Sequence, residues 1–258
     1  MRDGEQSPHK DHRARMRARF FSEGLDNFAP HEVLELLLMF AIPQKDVNPL
    51  AHELLDMFGS LDNVLCASRA QLTAVSGIGE QAAALLTLML PLWRYHQLSR
   101  HGEHPLISNR RQAQEYCASL LSGLKYEHFY VLCLDAKYKL LRAELIGTGV
   151  TDEVPAYPRL AVEVALKYDT RFVVLCHNHP GGTLAPSRAD LDITMRITTV
   201  LHGIGIQMMD HILVTPDNSM SFCQSGYIRQ STENGQVATT ICDPRDSLLF
   251  PPKVIVKE

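Results

Sequence analysis

The sequence predicts a mixed α/β domain preceded by a small all-helical domain. Residues 1 to about 100 carry apolar side chains at helical spacing, whereas short apolar runs of strand length appear between helical segments from about residue 105. The strands and helices of this second part mix without strict alternation, which is typical of an α/β or α+β domain. We therefore expect a helical domain over residues 1–100, a mixed-sheet domain over 101–228 and a loosely ordered tail over 229–258, with a short strand at 254–256.

Composition excludes several classes of protein. Of the 258 residues 45% are apolar and 21% are charged, and the net charge is −4, which excludes a disordered or collagen-like chain and a bulk polycation that binds nucleic acid. No apolar stretch reaches the roughly 18 residues of a membrane span, and the N-terminus lacks an apolar signal core. We expect a cytoplasmic protein without a membrane partner. Its six cysteines form no Cys-x-x-Cys pair and are expected to be reduced and buried.

Proline, glycine and serine mark the ends of the helices in the first 100 residues. Pro30 suits a first helical turn, and Pro43 ends that helix. Gly59 ends a second helix that starts near residue 47, and Ser60 caps a short third one. A fourth helix begins at Ser68, which has capping-box spacing to a glutamine three residues later.

The second part contains one strongly apolar strand. Residues 171–176 form a continuous apolar run with polar ends, which predicts a central strand that is buried on both faces. Asp210 interrupts a later apolar run and predicts a break or bulge there. The other predicted elements are helices over 111–121, 158–167 and 187–201, and strands over 130–134, 140–146, 206–209, 211–214 and 219–223.

The strongest chemical signal is the pair His177 and His179 at the end of the central strand, followed by Asp190. Side chains at positions i and i+2 of a strand lie on one face, so the two imidazoles can converge. A Pro-Gly-Gly turn then returns the chain to a helix whose first turn carries Asp190. Two imidazoles and one carboxylate are a typical ligand set of a catalytic zinc ion. The alternative is structural, because Ser187 and Asp190 also have the spacing of an N-terminal helix cap.

Glu144 is the candidate general base. It lies within the otherwise apolar run 140–146, where a carboxylate is costly unless it is paired or lies in a cleft. A carboxylate is the usual group that takes a proton from an attacking water. The alternative is an outward-facing position on the strand.

These residues together resemble a known motif. Glu144, the pair His177-x-His179, Ser187 and Asp190 match in order and spacing the JAMM motif of the JAB/MPN metallopeptidases. The chain around them resembles the bacterial RadC family, and the resemblance covers roughly residues 10–228. The segments that carry it are residues 12–15, 35–38, 42–47, 58–61, 76–80, 130–136, 177–182, 186–192 and 210–214.

The resemblance implies a JAB/MPN fold and a hydrolase that cleaves peptide or isopeptide bonds with one zinc ion per chain. By the same resemblance His177, His179 and Asp190 bind the metal. Glu144 then moves the proton of the attacking water, and Ser187 donates a hydrogen bond to the oxyanion.

The chain departs from the family pattern at two places. Gly181 stands where the family usually has serine. Leu160 ends a Tyr-Pro-Arg-Leu stretch where the family usually has His-Pro-Arg-Glu. Neither position belongs to the predicted ligand set, so the departures concern substrate contacts.

Gly77 and Gly79 lie in the segment 76–80, which resembles the turn of a helix-hairpin-helix and precedes a last helix over residues 82–89. Glycines let a backbone approach phosphate closely, and amides at the next helix start can bind it. Such contacts hold the DNA backbone without reading bases. The alternative is a hairpin that only packs helices.

A basic segment near the N-terminus is a second candidate DNA contact. Residues 1–100 contain 10 Lys and Arg against 12 Asp and Glu, a net charge of −2, but five positive residues are close together. They form either a DNA-binding face or a solvated helix surface. These residues are Lys10, Arg13, Arg15, Arg17 and Arg19.

The sequence therefore predicts a zinc-dependent peptidase with a protein or peptide substrate and DNA-backbone binding through its helical domain. Two other classes stay open. One is a DNA-binding accessory protein of repair or recombination whose zinc site is structural or vestigial, and the other is a metal-dependent nuclease. A single metal with one carboxylate ligand suits phosphodiester cleavage less well than a two-metal site.

Overall fold

The structure, a computed structural model, describes residues 8–149, 157–233, 236–241 and 253–255. The chain divides into two compact units, Met1–Trp93 and Arg94–Glu258. The division lies close to residue 100, where the sequence changes from a helical to a mixed pattern.

The first unit is helical, as the sequence predicts. Its helices are α1 (Pro8–Glu23), α2 (Pro30–Ala41), α3 (Asn48–Phe58), α4 (Leu61–Cys66), α5 (Arg69–Thr73) and α6 (Glu80–Ser99), which extends into the second unit. Pro30 occupies the first turn of α2, and Gly59 ends α3 with a left-handed φ of 82°. The side chains of Ser60 and Ser68 accept hydrogen bonds from backbone N–H groups at the starts of α4 and α5.

The two glycines before α6 differ in what the fold requires of them. Gly77 has a φ of 94°, and a Cβ atom there would lie 3.5 Å from the side chain of Leu50. Gly79 has no left-handed φ, and a Cβ atom there would meet nothing within 4 Å. Its carbonyl accepts a hydrogen bond from Ala83 in the first turn of α6. The turn therefore needs glycine at 77 and tolerates a side chain at 79.

The second unit is a mixed sheet between helices, which confirms the predicted fold class. Its elements are α7 (Arg110–Leu121), β1 (His128–Leu134), β2 (Leu140–Thr148), α8 (Tyr157–Lys167), β3 (Phe172–Asn178), α9 (Arg188–Gly203), β4 (Gln207–Val214) and β5 (Ser219–Ser221). The strand order is β2-β1-β3-β4-β5, and every neighbouring pair is antiparallel except β3 with β4. Helix α7 packs on one face of the sheet, and α8 and α9 pack on the other.

Strand β3 is central and buried on both faces, as its apolar run predicts. Val173 and Leu175 belong to the core beneath α8 and α9, whereas Val174 and Cys176 belong to the core beneath α7. Both faces of the strand must therefore be apolar, which explains the absence of alternation. His177 continues the face of Val173 and Leu175 and so lies on the side of α8 and α9.

Strand β4 is bulged, one residue from the predicted position. Its register with β3 pairs Met208 with Val173 and Asp210 with Val174, so Met209 is the extra residue. An extra residue reverses the alternation of side chains beyond it. The bulge therefore places His211, which pairs with Leu175, on the same face as Met208 instead of the opposite face.

The predicted loose tail is wrong where the structure describes it. Strands β6 (Ile228–Glu233), β7 (Gln236–Ile241) and β8 (Lys253–Ile255) form a separate antiparallel sheet in the order β6-β7-β8. Ile228 and Ile241 are buried in the core beneath α8 and α9 and hold this sheet in place. The prediction was misled because the sequence of this segment shows no obvious apolar periodicity. Most of the predicted strand at 254–256 corresponds to β8.

No helix among the described residues combines the length and apolar character needed to cross a bilayer. Five cysteines lie in the described part of the chain, and none of them forms a disulfide bond there. Cys117, Cys133 and Cys176 are buried, whereas Cys66 and Cys223 are partly exposed. Cys242 lies outside the described residues.

Replacing the two hairpin glycines by serine should separate their roles. Gly77→Ser should lower the free energy of unfolding by about 1–2 kcal/mol, because an L-residue is strained at this left-handed φ. Gly79→Ser should change it by less than about 0.5 kcal/mol, because space is open and serine is favoured before a helix. Urea unfolding of the full chain measures both. Equal losses in the two variants would contradict this account of the turn.

Candidate metal centre

The predicted metal ligands meet at one edge of the main sheet. His177 is the penultimate residue of β3, His179 follows the strand, and Asp190 lies in the first turn of α9. His179 is tied to the neighbouring strand because its backbone N–H donates to the carbonyl of Val214, 2.8 Å away. The Nε2 atoms of His177 and His179 are 3.1 Å apart. Asp190 Oδ1 lies 3.3 Å from Nε2 of His177, and Oδ2 lies 3.5 Å from Nε2 of His179.

These distances fit a tetrahedral zinc ion. Zinc binds imidazole nitrogen and carboxylate oxygen at about 2.0–2.2 Å, so two ligands of one tetrahedron lie about 3.3–3.5 Å apart. The two Nε2 atoms are 3.1 Å apart, and each lies 3.3 or 3.5 Å from one of the two carboxylate oxygens of Asp190, close to that edge length. Within the described residues this is the one group of three or more histidine, cysteine or acidic side chains close enough to share a metal ion. Three protein ligands leave one tetrahedral position for a fourth group.

The second nitrogen of His179 has a partner that sets the orientation of its ring. Its Nδ1 lies 2.9 Å from the carbonyl of Thr183. A carbonyl can only accept, so Nδ1 carries the proton and the lone pair of Nε2 faces the centre when the ring is neutral. The backbone of the turn after His179 therefore selects the tautomer that a metal requires.

Asp190 and His179 shift each other's pKa in opposite directions. Burial would raise the pKa of Asp190, but hydrogen bonds from His177 and His179 lower it far more, and the Ser187 hydroxyl contributes. The hydrogen bond that protonated His179 donates to Asp190 raises the pKa of His179 against the effect of burial, and the charge of Glu127 adds to this. Stability from Asp190 is lost as pH falls through its folded pKa, and stability from His179 is lost as pH rises through its own. A bound cation would replace the proton of His179 as the positive partner of Asp190.

Ser187 and Asp190 also form the predicted helix cap. The Ser187 hydroxyl accepts a hydrogen bond from the backbone of Asp190, at 3.1 Å. In return Oδ2 of Asp190 accepts from both the backbone and the hydroxyl of Ser187, each at 2.7 Å. The capping box and the metal ligand set, which are alternatives in the sequence, share the same carboxylate in the structure. Ser187 therefore holds Asp190 in place, and its hydroxyl proton is already directed to that carboxylate.

A cavity of about 510 Å³ opens beside the three ligands. Phe129, Tyr157 and Ile193 supply apolar wall, and Ser187 and Glu127 also line it. Glu127 immediately precedes β1, which runs antiparallel to β3 and pairs Phe129 with His177. The start of β1 and the end of β3 therefore lie at the same edge of the sheet. A carboxylate directly before a strand was the signal in the sequence, but the strand order needed to interpret it is not readable there.

The structure does not bring Glu144 to this cavity. Glu144 lies in β2 opposite Val131, which pairs with Leu175 in β3. Its carboxylate accepts hydrogen bonds from Arg142 Nε at 3.1 Å and from the Tyr168 hydroxyl at 3.3 Å. The residue of β2 that shares the register of His177 is Gly147, which does line the cavity. The prediction that Glu144 faces the metal is corrected here, because the strand register puts Glu144 away from the strand end.

Asn178, between the two histidines, ties down the segment that carries Glu127. Its side-chain oxygen accepts from the backbone N–H of His128 at 2.8 Å, and its amide donates to the carbonyl of Tyr126 at 3.0 Å. These two bonds span Glu127 in the chain. Alternation along β3 thus directs the two histidines to the metal site and the residue between them to the loop before β1.

The predicted basic residues of α1 divide into two kinds. Arg13 donates to the carbonyls of Met39, Ile42 and Lys45, and so holds the end of α2. Arg19 pairs with Glu32 at 2.7 Å and also donates to a loop carbonyl. These two side chains are engaged within the chain.

Arg15 and Arg17 are exposed. Of the four arginines predicted to contact DNA, these two have exposed side chains, whereas Arg13 and Arg19 make the contacts given above. The side chain of Lys10 lies outside the described residues.

The chain is similar to known proteins over most of its length. The family model described as "RadC-like JAB domain" matches residues 107–227. A UPF0758 protein of Rhodobacter capsulatus is 36% identical over 213 residues, which cover 83% of this chain and all of that protein. UPF0758 proteins of Fusobacterium nucleatum and Ruegeria pomeroyi are 34% and 35% identical, over 84% and 85% of this chain and 97% and 98% of their own lengths.

Proposed function

Because the chain belongs to the RadC family of UPF0758 proteins with a JAB domain, we propose that it is a zinc-dependent hydrolase of peptide or isopeptide bonds. One observation carries the proposal. The ligand atoms of two imidazoles and one carboxylate lie close enough to share a zinc ion, at the wall of a cavity that is also lined by an acidic residue, Glu127. A closed structural zinc site has four protein ligands and no such cavity.

His177, His179 and Asp190 would hold the ion, one site per chain. When bound, zinc supplies a Lewis acid that polarises a carbonyl group and lowers the pKa of a water molecule to about 7. The anionic Asp190 balances part of the charge, and the two neutral imidazoles accept no proton at Nε2 while they act as ligands. Phe129, Tyr157 and Ile193 make part of the cavity wall apolar, and an apolar surrounding strengthens electrostatic interactions at the reacting atoms.

Glu127 takes the role that the sequence suggested for Glu144. Its carboxylate accepts a proton from the attacking water and donates it to the leaving nitrogen, so that the amide becomes a carboxyl group and an amine. Asn178 keeps the backbone on both sides of Glu127 in place. Ser187 would donate to the oxyanion, as the family resemblance implies, by turning its hydroxyl from Asp190 to the substrate.

The described residues favour peptide hydrolysis over cleavage of DNA. A nuclease that uses two metal ions needs a second ligand set about 4 Å from the first. The described part of the chain contains no second group of three ligands close enough to share a metal ion. The hypothesis of a structural or vestigial zinc site is opposed by two observations. The three ligand residues lie close enough to share an ion, and the acidic residue Glu127 lines the cavity beside them.

We expect one zinc ion per chain in the wild type and its loss in Asp190→Ala. The matched control is Asp192→Ala, because Asp192 is exposed two residues further along the same helix. Elemental analysis of the purified proteins measures zinc per chain. Equal zinc contents in wild type and Asp190→Ala would reject the ligand assignment.

Glu127→Gln should keep its zinc and lose hydrolysis by about 10²–10⁴-fold, because an amide cannot accept the proton of water. Glu144→Gln is the matched control and should retain most activity. The assay is the appearance of new protein N-termini in a cell extract, with nicking of plasmid DNA followed in parallel. Loss of activity in Glu144→Gln alone would reinstate Glu144 as the base. Nicking without new N-termini would support the nuclease instead.

DNA-backbone binding by the hairpin is a separate proposal, supported by the open space at Gly79 and by the exposed Arg15 and Arg17. Gly79→Ser should weaken salt-sensitive binding to duplex DNA while zinc content and stability stay unchanged, since a side chain there keeps phosphate at a distance. Arg15→Ala with Arg17→Ala tests the alternative basic surface. Unchanged affinity in all variants would contradict DNA binding by this unit.

A further inference from the structure

His211 is a fully buried histidine that is not a ligand but touches one. Its Nε2 lies 2.8 Å from Nδ1 of His177, and its Nδ1 lies 2.7 Å from the hydroxyl of Thr194. It lies on the metal side of the sheet because of the bulge at Met209. Phe222 and Phe129 contact its ring, with centroids 4.4 and 5.3 Å away. The ring is therefore fixed between two polar partners in an apolar surrounding.

The neighbouring carboxylate is not a partner of this ring. Asp210 accepts hydrogen bonds from the backbone of His211 and Cys223 and from the hydroxyl of Ser221. It lies in the pocket on the α7 side, together with Phe172 and Met209. The imidazole of His211 thus has two polar contacts, which are His177 and Thr194.

The hydrogen bonds among Asp190, Thr194, His211 and His177 form a series, and the carbonyl acceptor at its Asp190 end fixes which group donates in each of them. The Thr194 hydroxyl donates to the backbone carbonyl of Asp190, one turn earlier in α9, because a carbonyl has no proton to give. Its oxygen therefore accepts from Nδ1 of His211. Nε2 of a neutral His211 then has a lone pair and accepts from Nδ1 of His177. The lone pair of His177 Nε2 is left facing the metal position.

We propose that His211 and Thr194 are positioning residues for the metal centre, a role that rests on the proposed zinc site. They select the tautomer and ring orientation of His177, and they link it to the backbone of Asp190. Two proposed ligands from different elements, β3 and α9, are thus joined by hydrogen bonds that run from His177 through His211 and Thr194 to the Asp190 carbonyl. A metal ion between His177 Nε2 and the Asp190 carboxylate, which are 3.3 Å apart, would close this path. Partners of this kind typically contribute 10–100-fold to metal affinity.

The chain offers matched variants for a test. His211→Leu removes the acceptor of His177. Thr194→Val removes the acceptor of His211 with little change of shape, whereas Thr194→Ser keeps the hydroxyl. Thr198→Val is the structural control, because Thr198 is also buried and its hydroxyl makes the same bond to a carbonyl one turn earlier, that of Thr194. It has no place in the path to His177.

Zinc affinity is measured on the full-length proteins by competition with a chelator of known affinity, and thermal unfolding checks that each variant is folded. We expect about 10–100-fold weaker binding in His211→Leu and about tenfold in Thr194→Val, with wild-type affinity in Thr194→Ser and Thr198→Val. Equal losses in Thr194→Val and Thr198→Val would overturn the proposal, because they would reflect destabilisation of α9. Wild-type affinity in Thr194→Val would also overturn it.

A spectroscopic readout is independent of affinity. Long-range ¹H–¹⁵N NMR of the zinc-loaded wild type should show His211 protonated on Nδ1 and unprotonated on Nε2. Protonation on Nε2 would overturn the proposed path. If the wild type binds zinc but the variants match it, the positioning role alone fails. If the wild type binds no zinc, both the positioning role and the proposed function fail.

Discussion

The antiparallel pairing of β1 with β3 is the constraint on which the candidate site depends. It brings the residue before one strand beside the residues that end the other, so Glu127 and the histidine pair share an edge although 50 residues separate them. Strand β3 is buried on both faces and cannot slip without exposing its apolar run. The positions of His177, His179 and Glu127 are therefore set by packing of the sheet, and α9 adds Asp190 from outside it.

Electrostatics within the site are balanced before any metal arrives. The carboxylate of Asp190 lies between two imidazoles, which lowers its pKa and raises the pKa of His179. Such an arrangement keeps three polar groups in a partly buried place without an unpaired charge. A metal ion that binds here would exchange with a proton instead of requiring a new arrangement of side chains. Because a proton and a metal ion compete for His179, metal affinity is expected to fall as pH is lowered.

The sequence predicts much of the fold because local rules and burial agree in most elements. Pro30, Gly59 and the capping serines mark helix ends where they occur, and the two-sided burial of β3 is visible as an unbroken apolar run.

The proposed ligand triplet is also predictable, since strand alternation and a helix start bring His177, His179 and Asp190 together. The proposed general base, Glu127, is not predictable, because its place at the cavity depends on strand order and register. Glu144 was predicted as the base because it is a charged residue in an apolar strand, but its carboxylate accepts hydrogen bonds from Arg142 and Tyr168. The terminal sheet was missed because its segment of the sequence shows no obvious apolar periodicity.

The shared carboxylate of the capping box has an evolutionary consequence. Asparagine at position 190 would still satisfy the start of α9 through its side-chain oxygen, but it would carry no negative charge for a cation. A single base change from aspartate to asparagine would thus remove the proposed chemistry and leave the architecture nearly intact. A relative that lacks the proposed reaction could keep the same fold with asparagine here, so the start of α9 alone does not require the charge.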